Sequence, residues 1–170
     1  GVGKVLDEVS KDFEYIVCDS PAGIEKGANL ALYFADDAFV VTNPEISSVR
    51  DSDRMLGILS SKSRRAERGE EPIKEYLLLT RYDPERVKNG EMLSLDDVQE
   101  ILSLQLLGII PESKSVLTAS NAGVPVILDE KSEAGQAYAD IVARYLGEDR
   151  PHRFVESKRG FFSKLFGGKK

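Results

Sequence analysis

Short apolar runs recur along the chain, each bounded by Asp, Asn, Pro or Gly: Tyr15-Ile-Val-Cys18, Ala38-Phe-Val-Val-Thr42, Tyr76-Leu-Leu-Leu-Thr80, Leu106-Leu-Gly-Ile-Ile110 and Val124-Pro-Val-Ile-Leu128. Runs this short and this rich in branched residues predict strands buried on both faces. Between them the pattern changes to helical spacing. Ser47 to Lys62 opens on serines suited to an N-cap and repeats Val49, Leu56 and Leu59. Residues 94 to 104 start at a Ser94-Leu-Asp-Asp97 capping pattern and set Val98, Ile101 and Leu102 on one side. Ala134, Tyr138, Ile141 and Tyr145, with Ala137 and Val142 beside them, form a last stripe before Gly147. Strands alternating with helices predict an α/β fold, a mostly parallel sheet with flanking helices.

Beyond Gly147 the pattern stops. The expected organisation is a body over residues 1–147, a polar linker over 148–157 and an amphipathic helix over 158–170. In that last segment Phe161, Phe162, Leu165 and Phe166 share one helical face, and Lys158, Arg159 and Lys164, with Lys169 and Lys170, surround it with positive charge. The segment is too short to span a bilayer, which takes about 20 apolar residues, but has the make-up of a helix lying among anionic headgroups. The rival reading is a final helix docked on the body. The Gly-rich flanks and the lysines at both ends favour the membrane contact.

Composition sharpens this contrast. The 170 residues are 41% hydrophobic and 31% charged, ordinary for one globular domain. The net charge of −6 hides an asymmetry: residues 150–170 carry seven Lys/Arg against Glu156, which leaves −12 on the first 149. An acidic body argues against nucleic acid as its partner and suits a tail that finds anionic lipid by itself. The single cysteine, Cys18, has no internal disulfide partner, and no signal peptide is apparent, so the expected compartment is the cytoplasm.

In parallel sheets chemistry sits beyond the carboxyl ends of the strands. Those ends read Cys18-Asp-Ser-Pro-Ala-Gly23, Thr42-Asn-Pro-Glu45, Thr80-Arg-Tyr-Asp83 and Ile110-Pro-Glu-Ser113. Asp19, directly after a predicted strand, is placed either to hold a magnesium ion through its water or simply to cap the strand end. Pro21-Ala-Gly23 can bring backbone N–H groups to a phosphate or make an ordinary turn. Gly1-Val-Gly-Lys4 is not the end of a phosphate loop, because Val5 stands where a hydroxyl is needed and Val5 to Val9 reads on as helix. Ser47 to Arg54 is a dense polar stretch, either a solvated helix face or a partner surface. Cys18 reads as a small core residue and His152 as a surface residue.

Five motifs in order, Ile16-Val-Cys-Asp-Ser-Pro-Ala-Gly-Ile-Glu25, Thr42 to Arg54, Leu79-Thr-Arg-Tyr82, Gly108-Ile-Ile-Pro-Glu112 and the phenylalanine-rich basic end, resemble the MinD family. This is a ParA-like branch of P-loop ATPases with a deviant phosphate loop. The resemblance covers essentially the whole chain. It implies binding of ATP and Mg2+, an ATP-dependent homodimer, and a peripheral position on the inner face of the bacterial membrane. MinC and MinE are the implied partners in placing the division septum, MinC blocking it away from midcell and MinE stimulating hydrolysis.

By resemblance, Asp19 positions the magnesium shell, Ser20, Pro21, Ala22 and Gly23 form the second switch, and Thr80, Arg81, Pro111 and Glu112 enclose the adenine. Many relatives have Asn where Arg81 stands. Glu45, Asp51 and Asp53 match the helix at the dimer face, where MinC and MinE compete. The tail residues match the membrane-targeting helix. The glycine-rich, lysine-bearing loop of the family is not in the 170 residues, which resemble the C-terminal portion of such an ATPase. The polypeptide alone is therefore expected to be a non-catalytic membrane- or partner-binding module. A DNA-partitioning ATPase is disfavoured by the acidic body.

Overall fold

The structure is a computed structural model and describes residues 1–20 and 32–154. Three strands, β1 (Asp37–Thr42), β2 (Lys74–Tyr82) and β3 (Gln105–Pro111), form a parallel sheet in the order β1-β2-β3. Asp37 pairs with Lys74 and Thr42 with Leu79, so the first two strands run in step. Helix α1 (Val2–Val9) precedes the sheet. Helices α2 (Ile46–Lys62) and α3 (Arg64–Arg68) connect β1 to β2, and α4 (Pro84–Lys88) and α5 (Leu95–Leu102) connect β2 to β3. After β3 come α6 (Lys114–Asn121), a 3-10 turn (Val126–Leu128) and α7 (Glu133–Tyr145).

Local chemistry sets many of these boundaries. The capping box expected at α5 is present: Ser94 Oγ accepts from the Asp97 N–H and the Asp97 carboxylate accepts from the Ser94 N–H. The Ser94 hydroxyl, followed by the Ser94 backbone, holds the Asp97 carboxyl below the usual carboxylate range. Asp83 caps α4, with Pro84 pre-set for the first turn, and Ser63 caps α3, which ends at Gly69 with φ +64°.

Side chains alternate across the sheet. Leu77 and Leu79 of β2 face α2 and α5, where they join Val49, Val98 and Leu102 in the larger core. Tyr76 and Leu78 face the other way, toward Leu107, Ile110 and the Ala134, Ala137 and Ile141 stripe of α7. The register between β2 and β3 slips where Leu77 pairs with Leu106 and Leu78 with Gly108, so Leu107 is an extra residue. At this irregularity a Cβ on Gly108 would run into Ile141 Cγ1 and lie 2.9 Å from its Cδ1. Glycine there lets α7 lie close on β3.

Two of the five predicted strands do not form. Residues 15–18 take no regular secondary structure and pair with no strand among the described residues, with Val17 90% exposed and Tyr15 set edge-on to Tyr145 at 6.4 Å. An apolar run becomes a strand only where a neighbour completes its hydrogen-bond ladder. In the run 124–128 only the 3-10 turn Val126–Leu128 forms, after Pro125, which has no N–H to give a ladder. Cys18 is correspondingly exposed and not a core residue.

Candidate functional site

Because the three strands are parallel, the loops after them emerge on one edge of the sheet. Thr80 Oγ1 donates to Asn43 Oδ1 at 2.8 Å, tying the loop after β1 to the end of β2. The Glu112 N–H donates to the Tyr82 carbonyl at 3.0 Å, and Arg81 Nε donates to Glu112 Oε2 at 3.0 Å, tying β2 to the loop after β3. The Leu93 N–H donates to the Pro44 carbonyl at 3.0 Å, and Met92 Sδ accepts from the Asp83 N–H at 3.4 Å. The edge is braced from below by the approach to α5.

Arg81 has φ +55°, the left-handed region, which costs a non-glycine residue about 1 kcal/mol or more. The buried Tyr82 beside it and the Glu112 pairing hold it there. Both charged side chains remain substantially exposed, so the ion pair itself contributes at most about 1 kcal/mol. Its effect is geometric: it draws Arg81 and Glu112 together beside Pro111 at the ends of β2 and β3, while Thr80 is turned to Asn43 after β1.

Asp19 stands apart. It is exposed, just after the irregular stretch 15–18, and no described contact joins it to the three loops. Among the described residues no group of three or more His, Cys, Asp or Glu is placed to hold a metal ion. A lone carboxylate fits magnesium only where phosphates and water complete the shell, which is how this ion is commonly held. Ser20 is half-buried, while Pro21, Ala22 and Gly23 lie outside the described residues.

Glu45 is the N-cap residue of α2 and is exposed, as are Asp51 and Asp53. At 100° per residue Asp51 and Asp53 stand roughly 160° apart around the helix, flanking the side that buries Val49 and Leu59. Asp51 also lies 3.5 Å from Arg54 Nη1 on the surface. Phe161, Phe162, Leu165, Phe166, Lys158, Arg159 and Lys164 lie outside the described residues.

His152 is at the surface as expected, where partial burial and then the Arg144 guanidinium lower its pKa below the usual imidazole value. Sequence reasoning missed Asn43 and Met92, which brace the loops without bearing the expected chemistry. An Asn directly before Pro44 at a strand end was the available signal for the first.

No family model matches the chain. The septum site-determining protein MinD of Escherichia coli strain K12 is 68% identical over 170 residues, covering 99% of this chain and 63% of that protein. The chain belongs to the MinD family. Its MinD fold superposes on a chain of the MinC:MinD cell division protein complex of Aquifex aeolicus with a TM-score of 0.79 at 40% identity, over 91% of this chain and 61% of that one. The septum site-determining protein MinD of Pyrococcus horikoshii OT3, complexed with Mg-ADP, gives a TM-score of 0.66 over 85% of this chain and 56% of that one. At 23% identity that likeness shows the fold alone. The chain thus spans 63% of the length of its E. coli MinD relative.

Proposed function

We propose that this chain serves a MinD-type ATPase of division-site selection, supplying the strand-end loops beside the adenine, the partner helix and the membrane foot. The observation that carries the reading is the 68% identity to E. coli MinD, which extends over 99% of the chain and so into its basic, phenylalanine-bearing end. Thr80, Arg81, Pro111 and Glu112 enclose the base, and Asp19 orients the magnesium shell of ATP from the switch segment Ser20 to Gly23. The P. horikoshii protein that shares this fold is itself complexed with Mg-ADP.

ATP pairs two subunits through the region of Glu45, Asp51 and Asp53, and the pair engages MinC to block septum formation, with MinE stimulating hydrolysis. A MinC:MinD complex among the similar structures supports that partner. No helix among the described residues is long and apolar enough to cross a membrane. Membrane contact is assigned to the 158–170 segment, whose short apolar face binds weakly alone and gains from being linked in pairs. The protein then alternates between the cytoplasm and the inner face of the cell membrane.

The test is flotation of the full-length gene product with anionic vesicles. Binding with MgATP and not with MgADP is expected, with loss of binding in Phe162→Glu; equal binding with both nucleotides sinks the reading. A second reading concerns the 170 residues alone. The exposure of Asp19 and the absence of a G-x-x-x-x-G-K-[ST] sequence favour a non-catalytic binding module, and hydrolysis of ATP by the isolated polypeptide would overturn it.

A further inference from the structure

The segment following α7 is polar in sequence, yet its first part is held down on the body. The chain turns at Gly147, with φ +94°, and runs back beside the helix it has just left. Arg144 Nε donates to the Arg150 carbonyl at 2.8 Å, and its Nη2 donates to the Pro151 carbonyl at 2.9 Å. The same guanidinium donates through Nη1 to the Leu107 carbonyl of β3 at 2.6 Å, so one side chain fastens the returning segment to the sheet.

Arg153 then forks onto Asp140, Nε to Oδ2 at 2.7 Å and Nη2 to Oδ1 at 2.8 Å, while its Nη1 donates to Gln136 Oε1 at 2.6 Å. The Asp140 side chain is only 6% exposed. A buried carboxylate met on both oxygens by a planar fork is a geometrically specific contact, unlike a surface pair between two long side chains. Phe154 packs against both core clusters, which lie on opposite faces of the sheet. A residue touching both must sit over an edge, and Phe154, which lines one small cavity with Ile109 of β3 and Ala137 of α7, marks that edge as β3, an outer strand of the sheet.

We infer that residues 150–154 are a docked root that fixes where the C-terminal segment leaves the body, beside the β3 edge, and so sets the reach of the membrane foot. The inference rests on the membrane reading above. From Phe154 to Lys158 is a span of four residues; from Gly147 it is eleven. If the root is undocked, the tether of each foot lengthens by that ratio. The effective concentration of the second foot of a pair, falling as about the −3/2 power of tether length, then drops about fivefold.

The experiment uses the full-length protein with vesicles of phosphatidylglycerol and phosphatidylethanolamine in MgATP. Asp140→Asn removes the charge with little change of shape. It is expected to raise trypsin cleavage after Arg153 about tenfold, as the population of the undocked state rises, and to weaken co-sedimentation about fivefold. A seven-residue Gly/Ser insertion between Phe154 and Val155 leaves the clasp untouched. It should weaken co-sedimentation by a similar factor with cleavage after Arg153 unchanged. Unchanged cleavage in Asp140→Asn, or unchanged co-sedimentation in the insertion variant, overturns the inference. Wild-type protein that fails to co-sediment overturns the membrane reading and the reach function with it, whereas trypsin resistance at Arg153 reports on the root separately.

Discussion

The two faces of the sheet are closed to different degrees. On one, α2 and α5 cover all three strands, and Val49, Leu77, Leu79 and Val98 are fully buried. On the other, α7 covers the β3 side, while Phe39 and Val41 of β1 are 43% and 58% exposed. Phe39, Tyr76 and Tyr145 form a ring cluster at the margin of that cover, with centroids 4.9 to 5.9 Å apart. The apolar pattern of β1 is the same on both sides, so hydrophobicity alone does not decide which residues are buried. A covering element does, and stability should follow it.

The largest expected effect tests that rule directly. Leu79→Ala removes a fully buried side chain from the closed face and should cost about 2–5 kcal/mol in urea unfolding, whereas Val41→Ala on the open face should cost under about 1 kcal/mol. Equal costs would show that the open face is covered in solution.

A smaller effect is expected where the second face does close. Gly108→Ala places a methyl against Ile141, and the tightly seated α7 can yield only by shifting; a loss of about 1–3 kcal/mol should appear in the same measurement. A neutral result would mean that α7 rides loosely on β3 and that the two faces differ more than the packing indicates.

The smallest effect lies at the margin. Tyr145 donates to Asp37 Oδ2 at 3.0 Å, and burial, followed by this bond, pushes its phenol up from 10.0 to about 12. The raised value favours the neutral phenol in the folded state. Its stabilisation is complete below pH 10 and is lost as pH rises through about 12. Wild type should therefore lose more stability than Tyr145→Phe between pH 10 and 12. Parallel losses would place the Tyr145 hydroxyl in water and extend the open region to the helix.

How much was legible depended on how local each cause was. The three sheet strands follow from apolar runs with turn residues at both ends, and α5 from its Ser94 to Asp97 capping box. Helices α3, α4 and α6 were missed although Ser63, Asp83 and Ser113 cap them, because none of the three buries a side chain and so none shows an apolar period. At the site, Thr80, Arg81, Pro111 and Glu112 were named from sequence, and the structure ties Arg81 to Glu112 and turns Thr80 to Asn43. The left-handed Arg81 and the bracing Asn43 were not foreseen, since each depends on a neighbour more than 30 residues away.

The sequence by itself determined the α/β alternation, the strand-end loops, the contrast between acidic body and basic end, and the family likeness. All of these are carried by residue type and spacing within short windows. Only the tertiary structure decided that residues 15–18 join no strand among the described residues, that Leu107 makes an irregularity opening β3 to α7, and that Arg153 folds back onto Asp140. Those outcomes turn on which partners complete a hydrogen-bond ladder or a buried charge. Partners distant along the chain meet only when the whole body packs.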